Sequence, residues 1–450
     1  MTSDVAIAEH APAGPREHAR RPVDRRTVVA LASWSALVAV AAGVGAVLLH
    51  LGVRMQIGAP PLTGRVGFRL DARVLPAIAL GGLGVRALPV LAQQLRWRAL
   101  LAVTVAATGL WTLAINLVDG RRMFTWPVHH EYSATAAHIV SPHAFLSTFP
   151  AHILRYNVHT QGHPPAMELI LWCVDRLGWH GAGAAATLYI AAGVAAGAAA
   201  LVALREVAGE ARARAAAPFL AMFPAAIWMA TSGDAFFAGV SAWAVALLVL
   251  ATGRTGRRSD LLAFAGGLLL GVTAFLSYGL VLIAIVPTVV GSRRRRVRPL
   301  LVGALGAAVV FGAFAVAGFS WITGLRLTHA RYEAGVASRR PYAYFLVADL
   351  AAFAIAVGPA AAAGLAVLRD RATWLLVGAT LAVVALADLS GMSKGEVERI
   401  WLPFVPWVLL STTALAATNA GDRAQARIRW LLGAQVATAI VLQVGIRSPW

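Results

Sequence analysis

The sequence predicts an all-α membrane protein that crosses the bilayer many times. Of its 450 residues, 59% are hydrophobic and only 13% are charged, and its mean hydropathy is +0.71. A soluble domain carries about a quarter charged residues. Apolar stretches of roughly twenty residues, the length that spans a bilayer, recur along the chain between short polar segments. One long polar interval interrupts this pattern, so we expect about thirteen transmembrane helices and one large external loop.

The predicted spans are apolar windows of about 19 residues. The second span is the weakest, because it contains Arg86 and several glycines, and a re-entrant segment is the alternative there. The thirteen windows lie near residues 27–50, 72–92, 98–118, 182–204, 214–231, 236–252, 261–276, 278–292, 300–320, 345–368, 373–390, 401–418 and 430–446.

The arginines indicate how these spans are oriented. Segment 1–26 is polar, rich in arginine and without a signal-peptide cleavage site, so we interpret it as a disordered cytoplasmic tail. With that start, the run from Arg293 to Arg296 and most other basic residues fall in inside loops, as the positive-inside rule requires. We therefore expect a multi-pass protein of the cell membrane, with loop 119–181 and the carboxyl terminus on the extracytoplasmic face.

Composition also limits the class of function. The net charge is +19, but the basic residues lie in short runs between apolar segments. That pattern sets membrane topology and does not form a nucleic-acid surface. The single cysteine, Cys173, excludes an intrachain disulfide and a cysteine-based zinc site. The only lysine among 39 basic residues is Lys394.

The polar loop 119–181 is the most informative part of the chain. Seven of the twelve histidines lie between residues 129 and 163, directly after a predicted span. Long loops rich in ionisable groups at a membrane surface commonly carry function. Pro164 and Pro165 then precede segment 166–179, which we predict to be an amphipathic helix in the outer interface.

Two carboxylates in this loop are candidate general bases. Asp119 lies at the outer end of the third span, and Glu131 opens a helix-like stretch. Partial desolvation raises the basicity of such groups toward neutral pH. The structural alternative is that Asp119 is a helix-end residue and Glu131 an N-terminal helix charge. The histidines lack a His-Glu-x-x-His spacing, so no metal ligand is assigned.

A second polar constellation lies between the eleventh and twelfth spans. It contains Lys394, Glu396, Glu398 and Arg399. Two cations five residues apart can hold a phosphate, although connectors of this kind also anchor to lipid headgroups. Further polar candidates on the same predicted face are Asp234, Arg331, Arg340 and Tyr342.

The motifs of the external loop resemble a known superfamily. His130-Glu131-Tyr132-Ser-Ala-Thr-Ala-Ala-His, followed by His163-Pro164-Pro165 and an amphipathic helix, is similar to the GT-C superfamily of polyprenyl-phosphate-sugar-dependent glycosyltransferases. Members commonly read Asp-Glu-x-x-Tyr-Ala and then Pro-Pro-Leu. Here His130 replaces the first acidic residue, so either Glu131 or Asp119 is the expected base. With Gly-Glu-Val-Glu-Arg-Ile-Trp-Leu-Pro-Phe, the motifs resemble an actinobacterial branch of integral membrane proteins.

The resemblance implies a glycosyltransferase core over residues 98–450, preceded by two accessory helices in 27–97. It implies an inverting displacement in which a carboxylate deprotonates an acceptor hydroxyl and polyprenyl phosphate leaves the sugar. Lys394 and Arg399 would stabilise that phosphate. The acceptor would be an envelope glycan, a glycolipid or a protein. A divalent cation remains open as a cofactor, because metal dependence differs among such enzymes. Residues that would orient sugar or acceptor are His130, Tyr132, His163 and Asp234.

A transporter or lipid flippase is the alternative function, because many spans and basic outer loops also suit an amphipathic lipid. Transporters commonly contain internal repeats and ionisable groups near the bilayer midplane. The sequence shows no repeat, and Asp349 and Asp388 lie near the outer ends of predicted helices. A scaffold subunit without catalytic activity is the third hypothesis.

Overall fold

Long apolar helices form most of the protein, as the sequence predicts. The structure is a computed structural model that describes residues 25–417 and 422–450. Within these ranges nine helices are long and apolar enough to cross a membrane, and a bent pair would be a tenth. The protein is therefore an all-α, multi-pass membrane protein, whereas the total of thirteen spans stays a prediction. The predicted tail 1–26 lies outside the described ranges except for its last two residues, which begin the first helix.

The elements are numbered in chain order, and several are linked by short 3₁₀ turns. They are α1 (Arg25–His50), β1 (Arg65–Val66), α2 (Leu75–Gln94), α3 (Trp97–Asn116), α4 (Trp126–His130), α5 (Tyr132–Ala136), α6 (Pro142–His152), α7 (Val158–Gly162), α8 (Ala166–Arg176), α9 (Gly181–Ala208), α10 (Glu210–Ala221), α11 (Asp234–Thr252), α12 (Gly256–Leu276), α13 (Ile285–Arg293), α14 (Val297–Val316), α15 (Trp321–Ala334), α16 (Tyr342–Val357), α17 (Pro359–Val367), α18 (Arg371–Leu389), α19 (Val397–Ile400), α20 (Val405–Leu409), α21 (Ala414–Ala417), α22 (Asp422–Gly445) and β2 (Ile446–Arg447).

Three of the predicted spans are short or interrupted helices. Segment 214–231 contains α10, which ends at Ala221, and the 3₁₀ turn Pro224–Trp228. Segments 278–292 and 401–418 also begin with 3₁₀ turns, and residue 418 lies outside the described ranges. Proline at the start of two of these turns removes a backbone donor and interrupts the α-helix. Hydropathy windows do not detect such breaks. By contrast, the weakest predicted span, 72–92, is one continuous helix, α2, after a short 3₁₀ turn.

The predicted span 345–368 is not straight: α16 and α17 meet at an angle of 96°. Gly358 joins them with a φ of +81°, and a Cβ atom there would lie 2.0 Å from Oε1 of Gln435. The buried Gln435 amide donates to the carbonyl of Val357 and accepts from the N–H of Ala360. These bonds satisfy backbone groups that the bend frees, as irregular backbone inside a membrane protein requires.

The packing places α11 at the centre. It is the most buried of the nine long helices, and it lies between α9 and α12. The helices α1 and α14 expose most of their apolar side chains, as lipid-facing helices do. The two predicted accessory helices contact the rest of the bundle: α1 packs on α16 and α17, and α2 packs on α3, α10 and α22. Their accessory status stays a prediction.

The predicted external loop folds into a layer of short helices, α4 to α8, which packs on α9, α12 and α15. The helix predicted over 166–179 is α8, whose buried face includes Met167, Glu168 and Leu171. Near this layer, β1 pairs antiparallel with β2, with Arg65 opposite Arg447. This pairing joins the connector after α1 to the last residues of the chain.

Candidate active site

Glu131 is the buried centre of the candidate site. It separates α4 from α5, and only 2% of its surface is exposed. Its Oε2 accepts a hydrogen bond of 2.9 Å from the N–H of Gly233, and its backbone carbonyl accepts one of 2.7 Å from Nδ2 of Asn157. A Cβ atom at Gly233 would lie 2.8 Å from the ring of Tyr132, so glycine permits this close approach. Burial raises the pKa of Glu131 to about 8, although the positive charge of Arg399 opposes the shift.

A row of alternating charges lies beside Glu131. Asp234, in the first turn of α11, accepts a hydrogen bond of 2.6 Å from Nη1 of Arg399 and one of 2.7 Å from the Ser232 hydroxyl. Nη2 of Arg399 donates to Oε2 of Glu396 at 2.8 Å. Arg399 and Asp234 are both buried. A buried ion pair of this kind is costly unless its partners are well placed, and here both carboxylates contact the guanidinium directly.

Aromatic side chains enclose the space around Glu131. The Tyr132 ring lies 5.6 Å from that of His163 and 5.9 Å from that of Phe237. The Trp450 ring lies 4.2 Å from the Arg399 guanidinium carbon and 6.2 Å from the His159 ring. Aromatic walls of this type exclude water and can hold an apolar sugar face or a lipid.

Two histidines contact this cluster and are held neutral. Nδ1 of His159 lies 3.9 Å from Oε1 of Glu131. Nδ1 of His163 lies 2.9 Å from the backbone carbonyl of His159. Burial lowers the pKa of His163 below the usual range and lowers that of His159 further. A neutral imidazole adds no positive charge beside Glu131 and can still donate or accept a hydrogen bond.

The lysine and arginine next to this row have different partners from those predicted. The spacing in the sequence predicts that Lys394 and Arg399 together hold a phosphate. In the structure the Lys394 ammonium donates to the carbonyls of Ser338 and Arg340, at 2.5 and 3.1 Å. The second cation at Glu396 is Arg340, whose Nη2 lies 3.8 Å from Oε1 of Glu396. Its Nη1 also donates to the backbone carbonyl of Lys394.

Glu398, next to Arg399 in the chain, holds the connector after α1 in place. Its side chain is fully buried, and Oε1 accepts a hydrogen bond of 2.9 Å from the N–H of Thr63 in the connector after α1. Burial raises its pKa to about 7. The contact ties the connector between α1 and α2 to the site.

Four other predicted residues have no contact with the Glu131 cluster. Asp119 pairs with Arg69 and accepts a hydrogen bond of 2.8 Å from Gln443. The remaining three use their polar groups in local bonds: exposed His130 with the Trp126 carbonyl, Arg331 with the Gln161 side chain, and exposed Tyr342 with the Leu389 carbonyl.

Several residues that contact the candidate site have no clear signal in the sequence. His159 is one of seven crowded histidines, and Thr63 and Trp450 lie far from every motif. Their contacts to Glu131, Glu398 and Arg399 form only in the folded chain. In the parts of the chain that the structure describes, no group of three or more His, Cys, Asp or Glu side chains is arranged to hold a metal ion.

The fold is similar to that of known glycosyltransferases. No protein-family model and no curated protein sequence matches the chain. An oligosaccharyltransferase from Archaeoglobus fulgidus, solved with a tethered acceptor peptide, superposes with a TM-score of 0.51 at 12% identity, over 80% of this chain and 57% of that one. The same enzyme in complex with zinc and sulfate superposes with a TM-score of 0.48 at 15% identity, over 78% of this chain and 54% of that one. ArnT from Cupriavidus metallidurans superposes with a TM-score of 0.43 at 14% identity, over 76% of this chain and 78% of that one.

The comparison with a TM-score of 0.51 shows the fold of the chain. The superposition on the oligosaccharyltransferase with the tethered peptide shows that the protein has a similar, GT-C-like fold. The chain spans just over half the length of the archaeal oligosaccharyltransferase chains that it matches.

Proposed function

We propose that the protein is a membrane glycosyltransferase that moves a sugar from a polyprenyl-phosphate donor to an acceptor hydroxyl or amide on the extracytoplasmic face. One observation carries the proposal: a buried carboxylate, Glu131, lies beside a buried arginine, Arg399, in a GT-C-like fold. An inverting transfer needs these two groups together, one to accept a proton and one to stabilise the departing phosphate.

Glu131 is the proposed base. One of its oxygens is held by the N–H of Gly233, which leaves Oε1 to accept the acceptor proton. Because burial raises the pKa of Glu131 to about 8, its carboxylate is a stronger base than an exposed glutamate. Burial keeps His159 neutral, and its Nδ1 lies 3.9 Å from Oε1, so after transfer the proton stays on Glu131 until it passes to water.

Asp119 is the less suitable base. The salt bridge with Arg69 and the hydrogen bond from Gln443 occupy both of its carboxylate oxygens. Neither partner belongs to the Glu131 cluster. We therefore propose that Asp119 fixes the outer end of α3 against β1 and α22, and that Glu131 performs the chemistry.

The departing phosphate is proposed to bind near Arg399 and Arg340. Arginine binds phosphate through two parallel N–H groups, and a buried guanidinium interacts with it more strongly than one in water. Both side chains are almost fully buried. Tyr132 and His163 would contact the sugar, since their rings pack against each other and against Phe237, and Tyr132 directly follows Glu131 in the chain.

The experiment that tests the proposal is sugar analysis of envelope glycans, glycolipids and proteins from a deletion strain. Loss of one decoration, restored by the wild-type gene but not by Glu131→Gln, is the expected result. Glu333→Gln is the matched control, because Glu333 is an exposed acid on α15. An unchanged envelope in the deletion strain, or full rescue by Glu131→Gln, would contradict the proposed function.

A further inference from the structure

Glu396 occupies the space between two buried arginines. Its Oε2 lies 2.8 Å from Nη2 of Arg399, and its Oε1 lies 3.8 Å from Nη2 of Arg340. The two arginines are 4% and 6% exposed, whereas the Glu396 side chain is 25% exposed. The carboxylate is therefore the member of this trio that an incoming anion would meet.

The backbone at Glu396 is unusual. It has a φ of +64°, one of three non-glycine residues with positive φ in the described ranges, and it follows Gly395 with a φ of +83°. Residues other than glycine adopt this backbone conformation at an energetic cost. Such strain persists where the surroundings hold it, and here the Glu396 side chain is held by Arg399.

The arginines retain unused binding capacity. The Nε atoms of Arg340 and Arg399 are both buried without a hydrogen-bond partner. A carboxylate offers two oxygens, and in this geometry only one of them lies within hydrogen-bonding distance of an arginine. A phosphate monoester offers three oxygens and more negative charge, which suits two converging guanidinium groups better.

We propose that the Glu396 carboxylate takes, in the unliganded protein, the position that the phosphate of the released polyprenyl phosphate occupies between Arg340 and Arg399, and that this phosphate displaces it. This inference rests on the proposed function. Glu396 keeps the two buried guanidinium groups from facing each other unneutralised. Because it competes with the phosphate, it lowers the affinity for the spent lipid phosphate. Because the Glu396 side chain is partly exposed and follows a glycine, it can move out of this position into solvent.

The test is binding without turnover. Full-length protein in nanodiscs is titrated with farnesyl phosphate, with farnesol as the uncharged control and inorganic phosphate as the lipid-free control. Glu396→Gln removes the competing charge, and Glu396→Gly also suits the positive φ, so it keeps the test valid if the glutamine variant folds poorly. Glu333→Gln is the matched control, because it removes an exposed acid elsewhere on the same face.

We expect both Glu396 variants to bind farnesyl phosphate about tenfold more tightly than wild type, the factor that one charge-assisted hydrogen bond typically contributes. Farnesol binding and the Glu333→Gln variant should show no such gain. Unchanged or weaker binding in both Glu396 variants, with normal binding by wild type, overturns the inference and leaves the proposed function intact. Tighter binding of inorganic phosphate alone overturns the lipid-linked assignment. If farnesyl phosphate binds no better than farnesol in every variant, both the inference and the phosphate site are wrong.

Discussion

Replacing Glu131 by glutamine tests the proposed base, because the change keeps the shape and the hydrogen bond from Gly233 but cannot accept a proton. Loss of a general base typically costs ~100- to 10,000-fold in rate. The pKa of about 8 also fixes the pH dependence. Roughly a tenth of Glu131 is ionised at pH 7 and half at pH 8, so the wild-type transfer rate should rise about fivefold over that unit.

The same shift has a consequence for stability, with a definite sign. The folded-state pKa lies above the ordinary value of 4.5, so the folded protein holds the proton more tightly than the unfolded chain. The contribution of Glu131 to the free energy of unfolding is therefore lost as pH rises from about 4.5 to about 8. Above that range, the ionised Glu131 lowers the free energy of unfolding by roughly 5 kcal/mol at most. Glu131→Gln should remove this loss, and thermal unfolding of both proteins at pH 6 and pH 9 measures it.

Asp119→Asn is the matched comparison, because it changes the other candidate carboxylate. It should weaken the contact with Arg69 and lower thermal stability, but change the transfer rate less than tenfold. The assay is sugar transfer by purified protein in nanodiscs between pH 6 and pH 9. A wild-type rate that does not change with pH, or a larger rate loss in Asp119→Asn than in Glu131→Gln, would refute the assignment of Glu131.

Changes at Arg399, at Gly358 and at two serines test other features of the protein. Arg399→Ala should slow transfer and weaken lipid phosphate binding together, and should also cost about 3–5 kcal/mol in unfolding because it leaves Asp234 buried without its partner. Arg399→Lys should recover only part of the transfer rate, since the bidentate guanidinium is gone, and a silent Arg399→Ala would remove it from the site. Gly358→Ala should lower the unfolding temperature, because alanine is strained at a φ of +81°, and a wild-type melting curve would show that the bend is not held there. In a variant without the native cysteine, a membrane-impermeant thiol reagent should label a cysteine at Ser141 but not one at Ser292 in intact cells, and the reverse pattern would invert the topology.

The sequence predicted the fold class and the segments that meet at the site. Apolar windows identified most of the long helices, because a spanning helix needs a continuous apolar run. Hydrogen bonds bring Glu131, Asp234 and Arg399 together from three separate polar segments of the sequence. Each of these residues carries a charge in an apolar chain, which makes it visible in the sequence.

The remaining details depend on tertiary contacts. Lys394 was predicted to hold a phosphate together with Arg399 because the two cations lie five residues apart, and that role stays a prediction, but spacing along the chain does not determine where an ammonium group points. Its bonds to two backbone carbonyls brace the loop, and Arg340 takes the place beside Glu396. The interrupted helices were missed for a similar reason, since hydropathy averages over proline breaks.

The most direct measurement of the central claim is donor consumption by the purified protein. Wild-type protein and Glu131→Gln are incubated in nanodiscs with a lipid extract that contains polyprenyl-phosphate sugars, and free polyprenyl phosphate is measured by mass spectrometry with and without an envelope extract as acceptor. The account predicts acceptor-dependent release of polyprenyl phosphate by wild type and at least ~100-fold less release by the variant. Equal release by both proteins would contradict the proposed base. In sealed liposomes, an intact donor that only changes its side of the membrane would show that the protein is a flippase.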